Sequence, residues 1–173
     1  MKKSDRMDLF VEGLASGKLT KACEDTTFDP CYLGYFECFN SGRYYEAHDV
    51  LEHLWLKEGR GAPDYAFYKG LIQLAGAFVH LKLQDSQPHH PKHGRRLRPA
   101  GRLFQLALSN LVPYGDLYGD LYEGLDLRIP VSLARHMIGV LEKDSYTLNP
   151  WNPGELPQLV PPKVANDDLD DLC

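Results

Sequence analysis

The chain has 173 residues, of which 43% are hydrophobic and 25% charged, and a formal net charge of −5. These values suit one soluble globular domain long enough to bury a core. The N-terminal lysines precede no apolar run of signal-peptide length, and the longest apolar segment, Leu71 to Val79, falls far short of the ~20 residues that span a bilayer, so a soluble, cytoplasmic protein is expected.

At the N-terminus, Ser4 is placed to cap a short helix whose Met7, Phe10, Val11 and Leu14 form an i, i+3, i+4, i+7 stripe, stopped by Gly17. Residues 1–27 thus read as an arm that packs on the body. Asp29-Pro30 then starts a helix, with an acceptor at the N-cap and proline at the first helical position. This helix runs from Cys31 to about Phe39 and points Leu33 and Phe36 inward. Asn40-Ser41-Gly42 reverses the chain into a second helix, about Arg43 to Lys57, so the two form an antiparallel hairpin. Cys23, Cys31, Cys38 and Cys173 make no CxxC pair and no zinc-finger spacing, and are read as free thiols.

The second helix carries the unusual chemistry. Tyr44, His48, Leu51, Glu52 and Trp55 fall within an arc of roughly 100° on its core-facing side. Glu46, Asp49 and His53 lie on the opposite face, expected to be solvated. Pro63 opens the longest helix, about Asp64 to Leu83, whose Phe67, Leu71, Ile72, Leu74, Ala75, Phe78 and Val79 form a wide apolar surface. Lys69, Gln73, Gly76 and His80 make a separate stripe within about 60°, and Gly76 allows close approach of another helix. If the two helices pack side by side, His48, Glu52, Gln73 and His80 meet in one buried cluster.

Asp85 to Gly94 is a polar loop holding His89, His90 and His93, followed by the basic residues Lys92, Arg95, Arg96, Arg98 and Arg102. A fourth helix is predicted from about Ala100 to Leu111. Residues 113–126 form a tyrosine-rich excursion with the near-repeat Asp116-Leu117-Tyr118-Gly119 and Asp120-Leu121-Tyr122-Glu123. The last helix opens at Pro130 and presents Leu133, Ala134, Met137, Ile138 and Leu141. From Asp144 onward, prolines at 150, 153, 157, 161 and 162 forbid regular helix. The tail is therefore either draped over the bundle with Trp151 as anchor or disordered. It ends in Asp167, Asp168, Asp170 and Asp171 against Lys163, a local charge of −3. The expected class is all-α: a bundle of about five main helices over residues 28–143, with an extended tail over 144–173.

The run Phe39-Asn40-x-Gly42-x-Tyr44-Tyr45-Glu46-Ala47-His48-Asp49-x-Leu51-Glu52-x-x-Trp55, with Lys69-Gly70-Leu71-Ile72-Gln73-Leu74-Ala75 and His80, resembles the family known as domain of unknown function 309. The resemblance covers roughly residues 33–141, and the Glu-Ala-His-Asp helix is its most specific part. It implies a compact helical bundle with Glu46, His48, Glu52, Trp55, Gln73 and His80 as signature positions, and it implies no reaction. The chain departs from the family in having Pro99-Ala100-Gly101 where a Gly-Ala pair usually opens the fourth helix, and in an enlarged loop over residues 84–98.

Two functional classes follow. In the first, the polar cluster holds a divalent metal ion or a small polar ligand, with His48, Glu52 and His80 as metal ligands and Glu52 doubling as general base. Glu46, Lys69, Gln73 and Trp55 are then the candidate ligand-binding residues, and metal-assisted hydrolysis is the reaction class. Glu-x-x-His, His-x-x-Glu-His and His-Glu-x-x-His are all absent, so the site matches no known metal signature. In the second class the cluster is a hydrogen-bond network inside a tetratricopeptide-like interaction or structural module, although no second copy appears at a period near 34 residues. Phosphate loops, dinucleotide fingerprints and nucleic-acid motifs are missing. The basic segment is read as a solvated loop that could also grip a phosphate-bearing partner.

Overall fold

A computed structural model describes residues 28–163. The arm over residues 1–27 and the acidic end of the tail lie outside the described residues. Five helices account for most of the remainder: α1 (Pro30–Asn40), α2 (Tyr44–Glu58), α3 (Tyr65–Ser86), α4 (Leu97–Tyr118) and α5 (Arg128–Lys143). A hairpin of two short strands, β1 (Leu121–Tyr122) and β2 (Leu125–Asp126), joins the last two. Each helix packs chiefly on its neighbours in sequence, α3 most extensively on α4. No helix among them is long and apolar enough to cross a membrane.

Local chemistry sets the first hairpin. Asp29 Oδ1 accepts the Cys31 amide at 2.8 Å and Pro30 occupies the first turn, a cap contributing about 1 kcal/mol. The turn into α2 passes through Gly42 at φ +74°, a conformation that costs a β-carbon-bearing residue strain. Helices α2 and α3 run antiparallel, since Lys82 Nζ donates to the Gly42 carbonyl at one end and Trp55 Nε1 to the Tyr65 carbonyl at the other.

The core is aromatic at this end of the stack. Tyr44 stacks on Phe78 with centroids 5.0 Å apart, and Phe39 and Phe104 meet Phe78 edge-on. Such pairs add about 0.5–1.5 kcal/mol each beyond the area they bury. Cys31 and Cys38 are buried, and burial pushes the Cys38 thiol up to about 11, which suppresses its reactivity. Gly70 lets α4 approach α3 closely: a β-carbon there would lie 2.7 Å from Leu111 Cγ.

The structure corrects the sequence reading in three places. Helix α4 starts at Leu97 and runs through Pro113 to Tyr118 instead of ending near Leu111. Proline removes one hydrogen bond from the ladder, but Tyr114, one residue on, is buried and donates to the Pro63 carbonyl at 2.6 Å, which holds the last turn in place. The second half of the tyrosine near-repeat forms the hairpin, its turn made by Glu123 at φ +46° and Gly124 at φ +69°, as a two-residue hairpin loop requires. Finally, the last helix opens at Arg128, two residues before Pro130.

Residues 144–163 lie as an extended strap over the hairpin and α3. Asn149 Nδ2 donates to the Leu81 carbonyl at 2.8 Å, and Trp151 meets Tyr44 edge-on at 5.5 Å. Asn40 grips the strap from both sides: its Nδ2 donates to the Leu159 carbonyl and its Oδ1 accepts the Leu159 amide, each at 2.7 Å. Leu156 packs over Gly42, where a β-carbon would come within 3.2 Å of it.

Candidate functional site

Helix α2 presents His48, Asp49 and Glu52 at positions i, i+1 and i+4. With 100° per residue, Glu52 falls between the other two, so all three share one arc. One ligand-type atom from each lies within 4.8 Å of the others. His48 Nδ1 is 3.1 Å from Asp49 Oδ1. With its proton on Nδ1 the ring donates to Asp49 and keeps the lone pair of Nε2.

Asp49 differs from expectation. It was placed on the solvated face with Glu46 and His53, yet it is only 8% exposed, the one charged residue among those described that is buried. Glu46 is exposed, in the first turn of the helix, where negative charge meets the positive end of the helix dipole. His53 is half-buried.

The expected single buried cluster is not what forms. His48, Glu52, Gln73 and His80 are all half-buried rather than sealed inside. The His48 ring crosses α3 at Gly76, between Gln73 and His80 in sequence, but each of those two is held by α4. Gln73 Oε1 accepts from Asn110 Nδ2 at 2.8 Å, and His80 Nδ1 lies 3.2 Å from Arg96 Nη1. Burial and the Arg96 guanidinium both hold the His80 imidazole below its ordinary range, so the ring is neutral at pH 7 and accepts at Nδ1. Lys69 is half-buried on the same stripe. Trp55 is half-buried too, stacked on Tyr65 at 4.8 Å. Tyr44 is core, with its hydroxyl buried.

The sequence pattern singles out Asp49 only for a solvated face and Arg96 only for a basic loop, and it does not single out Asn110. Asp49 was readable in principle, since it sits three residues before Glu52 and beside His48. Arg96 closes the loop after α3 and Asn110 lies in α4, and no local spacing ties either to α3. His90 has a structural use, its Nδ1 accepting the Lys92 and His93 amides at 3.1 Å in the loop.

A three-residue His/Asp/Glu set of nitrogen and oxygen donors suits zinc, manganese or ferrous iron. Donors held about 2.1 Å from a tetrahedral ion stand roughly 3.4 Å apart, a little closer than the 4.8 Å that bounds this set. Three protein donors leave coordination positions open, as in catalytic rather than structural sites.

No curated protein and no solved structure matches this chain. Residues 32–88, which span α1, α2 and α3, match the family model described as Domain of unknown function (DUF309). The match takes in the helix positions of Glu46, His48, Asp49, Glu52, Gln73 and His80 and covers about a third of the chain.

Proposed function

We propose that this domain binds a divalent transition-metal ion on the His48, Asp49 and Glu52 face of α2, with water or a small polar ligand filling the open positions. The observation that carries the reading is the convergence of three donor atoms within 4.8 Å on one half-exposed helix face. Metal-assisted hydrolysis is the reaction class such a site supports, the ion supplying an activated water. Glu52, the most adjustable of the three side chains, would serve as ligand or general base. Lys69, Gln73 and Trp55 flank the face and are the candidates for contacting an organic ligand, with Glu46 at its outer edge. His80 takes no part as a ligand in this reading, because a guanidinium beside its Nδ1 repels a cation.

A second reading has its own support. The Gln73–Asn110 and His80–Arg96 pairs tie α3 to α4, which is what a structural network that fixes helix register would do.

The test is metal content by mass spectrometry on untagged protein purified without chelator. Near-stoichiometric zinc, manganese or iron is expected, lost in His48→Ala and Glu52→Gln, and kept when His89, His90 and His93 are replaced together. A folded wild-type protein that takes up none of these ions on challenge overturns the metal reading and leaves the structural one.

A further inference from the structure

The basic residues after the histidine loop surround the start of α4. A cavity of about 440 Å³ opens there, lined by His80, Arg98, Pro99, Arg102 and Leu103. Arg98 also lines a smaller cavity of about 260 Å³ with Arg95 and Tyr146. Arg98 and Arg102 are four residues apart, hence neighbours on one face of the helix. Among the described residues no carboxylate pairs with Arg95, Arg96, Arg98 or Arg102, and the first turn of α4 contains no acidic residue. Among the described residues this cationic charge therefore has no paired carboxylate.

The other lining groups complement it. Arg96 donates to His80 Nδ1, which leaves the imidazole proton on Nε2 as a further donor. Arg98 is steadied by the Tyr146 ring, its guanidinium carbon 4.9 Å from the centroid. Tyr146 itself is fixed against α4 at Gly101, where a β-carbon would come within 2.6 Å of the ring. Leu103 and Pro99 supply an apolar wall.

We infer that this cavity binds a small phosphate-bearing ligand, its phosphate clamped by Arg98 and Arg102 and touched by His80, its organic part against Leu103 and Pro99. Guanidinium groups match phosphate oxygens in geometry and charge. The volume lies within the range of roughly 300–1,000 Å³ typical of small-molecule sites. A recessed cavity beside two arginines also fits a small ester better than a nucleic-acid strand, which is tracked by a longer basic groove. The inference stands apart from the metal reading, since no residue of the His48, Asp49 and Glu52 set lines the cavity.

The experiment is isothermal titration calorimetry on the full chain, stripped of metal on a chelating resin, with inorganic phosphate and with glycerol 3-phosphate. Saturable one-to-one binding is expected, weakened at least tenfold in Arg102→Gln and in Arg98→Gln and unchanged in Arg135→Gln. Arg102 is exposed, so its variant keeps the test independent of any packing loss at Tyr146. Tighter binding of glycerol 3-phosphate identifies an ester as the ligand, and equal affinities identify free phosphate. No saturable heat from either probe, binding indifferent to both variants, or tighter binding of a single-stranded oligonucleotide overturns the inference.

Discussion

The imidazole of His48 lies against the backbone of Gly76: a β-carbon on that glycine would sit 3.7 Å from His48 Cδ2 and 3.4 Å from Leu103 Cδ1. Both separations are ordinary van der Waals contact, so one methyl fits. Gly76→Ala should leave the site intact and raise the melting temperature, because alanine is favoured over glycine in a helix by up to about 1 kcal/mol. Gly76→Leu should drive the imidazole away from Glu52 and weaken metal uptake at least tenfold. Thermal melts and competitive zinc titrations of the two variants distinguish a site that depends on this packing from one that does not.

Gly70 tells the opposite story. Its β-carbon would lie 2.7 Å and 2.9 Å from Leu111 Cγ and Cδ2 and 3.2 Å from Asn110 Cβ. Leu111 is fully buried and cannot step aside freely. Gly70→Ala should therefore destabilise by about 1–3 kcal/mol, the usual penalty of overpacking, despite its gain in helix propensity. In urea denaturation, Gly70→Ala combined with Leu111→Ala should be less destabilised than the sum of the single variants. Additive losses would remove the steric explanation.

The His80 imidazole gives stability a pH dependence. Burial and Arg96 lower its folded value below the ordinary 6.5, so the folded state prefers the neutral ring. Its contribution is complete above the unfolded value and is lost as the pH falls from about 6.5 toward the folded value, where the unfolded chain binds the proton first. Wild-type protein should thus lose stability as the pH falls below about 6.5, and His80→Gln should flatten that slope. Denaturant titrations at a series of pH values measure it, and an equal slope in both proteins would assign the loss to other groups.

Asn40 carries a prediction of its own. Its carboxamide makes two 2.7 Å hydrogen bonds to the Leu159 backbone, and the Gln158 side chain donates to the Asn40 carbonyl at 2.9 Å. Asn40→Ala should cost about 1–3 kcal/mol, two neutral hydrogen bonds lost with their partners left behind. Brief proteolysis should then cut the variant between residues 144 and 163 faster than the wild type. Equal cleavage rates would mean that Trp151 and Leu156 hold the strap without the clamp.

How far the sequence could be read follows from how local each feature is. The five helices were visible because each carries its own apolar period and, in α1, an Asp-Pro start. The end of α4 was not, since Pro113 is locally a breaker and only the distant contact of Tyr114 with Pro63 offsets it. A hairpin with two-residue strands is too short to show alternation, so the tyrosine near-repeat gave no hint of splitting between helix and strand. The site divides the same way. His48 and Glu52 were legible from their spacing, whereas the burial of Asp49 depends on how α2 seats among its neighbours. The partners of Gln73 and His80 lie 37 and 16 residues away, beyond a loop that breaks any periodic signal. Prolines excluded a helical tail, but nothing local couples Asn40 to Leu159.

That last coupling has a bearing on how the molecule assembles. Helices stacked on their sequence neighbours can form by short closures, each fast and nearly independent of the next. The strap instead joins residues 119 positions apart, and the entropy of closing so long a loop falls due before its contacts can form. It should come to rest last, on a hairpin already built, and lift first when the protein opens without unfolding. The Leu159 amide, buried against Asn40, would then exchange its hydrogen through a smaller opening than the amides of Leu71 or Phe78. With the strap lifted, Tyr44 and Gly42 lose the cover of Trp151 and Leu156.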